Sequence, residues 1–263
     1  MANFNYYFEN FKIELKRYFL YTQEYIMMLI MNVTMVFIQY ALFSNLFYAK
    51  KQVINGFTKE NLLQYFIINF LISQLTFTEV HASIKNDYYN GKMVLIHSKP
   101  MNYILHYFSR AFSNVIGNTI LMGIPTILIM TFIFHFSLSI KLLLLLYIEI
   151  IIIYTMNFFI YYIIGIISFS NTYGLMVKHI YTMIYSIFSG FLIPLNFFPK
   201  WLQNTANILP FKYMAYEPIM LFISFNQKAF FKIIEIQIFW IVILYIIVKW
   251  IHNRIGERLY ING

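Results

Sequence analysis

The chain has 263 residues, of which 60% are hydrophobic and 11% charged, against roughly 45–50% and about 25% in soluble domains. That balance excludes an ordinary soluble domain and assigns most of the length to membrane spans of about 20 residues each. With no cysteine, disulfide, zinc-thiolate and dithiol redox chemistry are excluded too, and the net charge of +9 lies in loops between apolar runs, which suits anionic lipid and not nucleic acid.

The first elements are read in chain order. Residues 1–22 predict an N-terminal amphipathic helix, because Phe4, Tyr7, Phe8, Phe11, Leu15, Tyr18 and Phe19 recur at helical spacing. Glu9, Lys12, Lys16 and Arg17 fall mostly elsewhere. Such a helix lies in the membrane interface or packs on a partner, and the span that follows at once favours the interface. The same charges argue against a cleavable signal peptide. Span one is expected at 25–47 and span two at 62–80. A polar loop then runs from His81 to about Tyr103. Span three is expected at 107–134, with Gly117, Gly123 and Pro125 marking a kink, and span four at 142–167. A turn at 168–174 leads to span five at 175–195. Residues 194–227 hold Pro194, Pro199, Pro210 and Pro218 with Trp201, Tyr213 and Tyr216. That stretch is too broken to span and too apolar to be a free loop, so it predicts short re-entrant or interfacial helices with aromatics at headgroup depth. Span six is expected at 230–248. The fold class is therefore an all-α membrane protein with six transmembrane helices.

Orientation follows from Lys and Arg. With both termini in the cytoplasm, eleven lie inside and eight outside, and all four arginines are inside, as cytoplasmic loops prefer. The wealth of Ile, Phe, Tyr, Asn and Lys points to an A+T-rich bacterial genome, and hence to the plasma membrane of a bacterium.

Catalytic devices are missing. A phosphate-cradling GxxxxGK[ST] loop needs a glycine where Asn86 stands and Ser or Thr where Met93 stands, so the Gly91-Lys92 pair cannot serve, and no ATP site or other cofactor site is expected in this chain. An intramembrane serine protease of the rhomboid type needs a glycine at position 187, which is Ile187 beside Ser189-Gly190. Six scattered histidines with no HExxH exclude a zinc enzyme, and no metal site is expected. Glu149, inside span four, is a candidate for the substrate pathway, because charge at that depth usually faces a cavity or a partner. The alternative is a carboxylate paired with a neighbouring helix or reaching the interface. Glu79 and His81 are read as anchors at the inner end of span two. Asn32, Gln39, Asn69, Gln74, Asn114, Asn118 and Asn157 are expected to hydrogen-bond between helices.

The segment from Phe188 to Tyr216, FSGFLIPLNFFPKWLQNTANILPFKYMAY, resembles the signature after the fifth span in type-2 permeases of ATP-binding-cassette (ABC) exporters. Its Ser189-Gly190, Ile193-Pro194-Leu195, Pro199, Trp201-Leu202 and Leu209-Pro210 carry the match. The loop from Ile84 to Pro100 is similar to that family's first cytoplasmic loop through Gly91-Lys92 and Lys99-Pro100. The resemblance covers nearly the whole chain and implies a single permease domain, residues 1–263. It implies two permease subunits, identical or homologous, around a pathway, with a separate ABC ATPase that binds ATP and Mg. Residues 84–100, with Lys85, Gly91, Lys92, Lys99 and Pro100, are then the ATPase-coupling candidates. Residues 194–227, with Pro194, Pro199, Trp201 and Pro210, and Gly190 just before them, are the extracellular gate candidates. An amphiphilic, lipid-like or peptide or antibiotic substrate suits spans rich in Phe, Tyr, Ile and Met. The alternative from another class is a non-transporting membrane scaffold or immunity protein.

Overall fold

A computed structural model describes residues 4–45, 47, 53–92, 101–136, 139–170 and 174–259. All regular structure among them is helical. Helix α1 (Phe4–Tyr18) turns through a 3-10 segment, Phe19–Tyr21, into α2 (Thr22–Ser44). Then come α3 (Lys59–Leu75), α4 (Val80–Tyr89) and α5 (Tyr103–Asn118). A π turn at Thr119–Gly123 joins α5 to α6 (Ile124–Phe134). It lies just before Pro125, whose missing amide breaks the regular ladder and is absorbed by the wider turn. The expected irregularity within the third span is thus a π turn. Helices α7 (Ile140–Ser170) and α8 (Gly174–Phe188) are followed by α9 (Lys200–Ile208), a 3-10 turn at Pro210–Met214, α10 (Tyr216–Ile223) and α11 (Gln227–Leu259).

Four helices among the described residues are long and apolar enough to cross a membrane: Thr22–Ser44, Tyr103–Phe134, Ile140–Ser168 and Gln227–His252. The second and fifth expected spans fall short of that length. Helix α3 has 17 residues and α8 has 15. Helix α3 stops at Leu75, and Thr76–Glu79 continue as non-helical backbone. Helix α8 ends at Phe188, not at 195, because Gly190 turns left-handed at φ +79° and Pro194 cannot continue a helix. The loop expected from His81 is a correction as well, since α4 begins at Val80 and runs to Tyr89. Helix α7 likewise continues to Ser170, through part of the turn expected at 168–174.

Helix α3 is the centre of the bundle. Leu62, Tyr65, Phe66, Ile67, Ile68, Leu71 and Ile72 are all buried, and a helix apolar on all sides is one enclosed by others. Its start is capped by Thr58, whose hydroxyl accepts from the Asn61 amide at 3.1 Å. Helix α2 is the opposite case: Val36 is its one buried residue, so nearly its whole apolar surface faces outward.

Helix α4 lies flat on α7 at Gly165. A Cβ there would stand 2.9 Å from Ile84 Cδ1 and 3.0 Å from the His81 Cα, and the second contact is backbone. Gly165→Ala is therefore expected to shift α4 and cost about 1–3 kcal/mol. Thermal unfolding in detergent measures this, and a variant that melts with the parent contradicts the close packing.

Candidate functional site

At one end of the bundle a single arginine ties three helices together. Arg110 sits on α5, one turn beyond Tyr107. Its Nη1 donates to Asp87 Oδ2 of α4 at 2.8 Å, and its Nε and Nη2 both reach Glu14 Oε1 of α1 at 3.0 Å. The Tyr107 hydroxyl adds a bond to Asp87 Oδ2 at 3.2 Å. Forked guanidinium contacts of this kind fix orientation as well as charge. The sequence supplies the geometry. On α4, Val80, Ile84 and Asp87 are spaced by four and three residues, so Asp87 shares the buried face. On α1, Glu14 is one turn from Asn10, which with Tyr6 bonds His106 Nδ1 at 3.1 Å. Tyr18 closes the row by donating to Asn118 Oδ1. So α1 packs lengthwise on α5, and the face it uses includes polar Asn10 and Glu14 beside the expected aromatics.

The break between α3 and α4 is held by asparagines from other helices. Asn118 Nδ2 donates to the Gln74 carbonyl at 2.9 Å and Asn157 Nδ2 to the Thr76 carbonyl at 3.3 Å. Tyr181 on α8 donates to Asn157 Oδ1 at 3.2 Å. Carbonyls freed at a helix end inside a membrane need such partners. His81, just past the break, lies tilted against Tyr161 with ring centroids 5.3 Å apart. Burial first, then Lys178 and Lys85, lower its imidazole from 6.5 to about 4, so it is uncharged near neutral pH. Beside the break a cleft of about 590 Å³ opens between the α1–α2 junction, α4 and α5.

The opposite end is organised by Ser189-Gly190. The Ser189 carbonyl accepts from the Tyr216 amide at 3.0 Å. Tyr65 donates to the Gly190 carbonyl at 2.7 Å and Asn69 Nδ2 to the Phe191 carbonyl at 2.8 Å. Asn196 donates to the Asn55 carbonyl at 2.9 Å and accepts from the Tyr216 hydroxyl. Irregular backbone here is thus paired by α3 side chains one turn apart. Phe57 and Phe197 stack over it, with centroids 6.1 Å apart.

The sequence candidates divide between the two ends. Lys85 lies on α4 with its ammonium 5.8 Å from the Tyr89 ring centroid. Gly91, at φ +67°, ends that helix, and Lys92 lines the cleft. Lys99 and Pro100 lie outside the described residues. Gly190, Pro194, Pro199 and Pro210 punctuate the short helices at the far end, where Pro210 is buried and Trp201 on α9 stays 66% exposed. Glu149 does not face the cleft. It is fully buried on α7, and its Oε2 accepts from Gln237 Nε2 of α11 at 2.8 Å. The same Gln237 nitrogen donates to the Tyr213 carbonyl at 2.9 Å. Glu149 and Gln237 therefore pin the base of the far segment to α7 and α11, the helix-pairing alternative raised for that carboxylate.

Sequence reading gives no role to Tyr65, Asn196, Gln237 or Gly165, and it counts Arg110 only as a charge. Tyr65 and Asn69, four apart on one helix face, are the available signal for the first of these. Among the described residues no group of His, Asp and Glu is placed to hold a metal ion.

A family model described as ABC-2 family transporter protein matches residues 34–263. A search of curated proteins returns no match. The matched region takes in every helix from the middle of α2 onward, including α4, Arg110 and the Ser189–Tyr216 segment, and the chain belongs to the ABC-2 transporter family, as an ABC permease that forms the membrane part of a transport system and is not itself its catalyst.

Proposed function

We propose that this chain is the membrane subunit of an ABC exporter, driven by a separate ATPase and paired with a second permease subunit, identical or homologous. It moves an amphiphilic, lipid-like or peptide or antibiotic-type substrate out across a bacterial plasma membrane. Both termini are cytoplasmic. Helices α3 and α8, with the segments flanking them, complete six crossings. The α1 and α4 end faces the ATPase, and α4 with residues up to 100 is the coupling element. The segment from 194 to 227 dips into the outer face as a gate, with Gly190 as its hinge and Trp201 at headgroup depth.

The observation that carries this reading is the Arg110 clamp. The two elements that would touch an ATPase, α1 and α4, are bound by one guanidinium to the same spanning helix, so a push on either is delivered to α5. Family membership adds the expectation of an ATPase subunit.

Because the chain has no cysteine, single thiols test the arrangement directly. Lys92→Cys is expected to cross-link to the ATPase from inside the cell, and Trp201→Cys to react only with an impermeant thiol reagent added outside. A Lys92→Cys chain that never cross-links, or a Trp201→Cys chain labelled only from the cytoplasm, overturns the assignment. Isolation of the chain with no ATPase would favour the scaffold or immunity reading instead.

A further inference from the structure

The cleft beside the α3–α4 break has walls that differ from the rest of the molecule. Four carboxylates and three cations line it, yet the charges are not equally engaged. Arg110 is bound by Asp87 and Glu14, and Arg17 lies 3.9 Å from Glu14. Glu24 and Glu79, and on the cationic side Lys92, have no ion-pair partner among the described residues. Both carboxylates line the cleft together with Tyr25. The Tyr25 ring stacks on that of Tyr18 with centroids 4.2 Å apart, and Phe77, 42% exposed, is a third aromatic in the cleft lining. Carboxylates among aromatic faces recognise a cation, above all an ammonium group, through charge and the ring quadrupole together.

The apolar side of the cleft indicates what the cation is attached to. Met28 is one of its lining residues. From there Met31 and Met35 continue up α2 at spacings of three and four residues, 67% and 56% exposed. A methionine row is pliable and accepts tails of varied shape. It begins at the cleft, on the candidate spanning helix that buries least of its surface.

We infer that the cleft binds the head of an ammonium-bearing amphiphile whose tail lies along the methionine row of α2. That such a molecule is the cargo rests on the exporter reading; that it binds does not. Binding would place a positive charge against Glu79, at the hinge between α3 and α4, and so load the coupling helix from the membrane side.

The test is equilibrium binding of radiolabelled hexadecyltrimethylammonium to the purified full chain in maltoside micelles, beside hexadecyl sulfate with the same tail. The ammonium probe is expected to saturate and the sulfate to show no saturable binding. Glu24→Gln with Glu79→Gln, two exposed positions, should weaken the ammonium probe about tenfold, the scale of losing charge-assisted contacts. Glu24→Asp with Glu79→Asp should retain most of the affinity, and Tyr25→Leu should reduce it. Equal binding of both probes, or a double glutamine variant that binds like the parent, overturns the inference. A chain that binds the probe but never captures an ATPase keeps this site and loses the exporter reading. A chain that captures its ATPase and ignores the probe does the reverse.

Discussion

Arg110→Ala is expected to loosen α1 on α5 and to uncouple α4 from the same helix in one step. The substitution strands Asp87, which is 6% exposed, without a counter-charge, and leaves Glu14 with only Arg17 at 3.9 Å. Breaking a buried pair this way costs roughly 3–5 kcal/mol, because the remaining charges stay desolvated. Tyr6, Asn10 and Tyr18 still bond to α5, so the loss should be local. Amide hydrogen exchange in α1 and α4 should rise while α7 and α11 stay protected. Arg110→Lys keeps the charge but not the fork that reaches both carboxylates, and should fall between. In the assembled transporter, Arg110→Ala should hydrolyse ATP without driving transport. Unchanged exchange in α1 would remove the clamp from the account.

Gly190→Ala is expected to be the most damaging single change at the other end. Its φ of +79° suits glycine and costs an L-residue about 1–2 kcal/mol. The added carbon would also stand 2.8 Å from the Tyr65 hydroxyl and 3.3 Å from both Leu195 Cγ and Tyr216 Cβ. Displacing Tyr65 breaks its bond to the Gly190 carbonyl and leaves a buried acceptor unpaired, a further cost of about 1–3 kcal/mol. The expected outcome is a lower melting temperature together with faster thiol labelling of a Trp201→Cys reporter, as the short helices loosen. Tyr65→Phe removes the bond without the clash and should show a smaller loss of the same kind. If Gly190→Ala melts with the parent, the turn does not hold the far segment.

The long helices are plain in the sequence and the short ones obscure, for identifiable reasons. Helices α2 and α7 are apolar for more than about 20 residues, and hydropathy alone finds them. Helix α4 carries a helical signal in Val80, Ile84 and Asp87, but the third member is an acid whose burial depends on Arg110, 23 positions away. Charge in an apolar register reads as a loop until its partner is known. The end of α8 is legible in the residues, since Ser189-Gly190 stands out there and Pro194 follows. A hydropathy window nevertheless runs on to Leu195, because Phe191, Leu192 and Ile193 are as apolar as the helix. Glu149 is unusual for its depth, and the sequence shows that much. Its partner Gln237 lies 88 residues away on α11, and no local pattern indicates such a pair. The polar span residues are expected to bond between helices. Asn69, Asn118 and Asn157 do so toward backbone carbonyls at helix ends and loops, the places where freed carbonyls require them.

The central claim is that this permease is driven by an ATPase it does not contain. It is tested most directly by purifying the tagged full chain in mild detergent from its native host and identifying what co-elutes by mass spectrometry. The account predicts a stoichiometric ATPase subunit, with a second permease chain or a second copy beside it. Repeated recovery of the chain alone, or only with itself, would contradict the account.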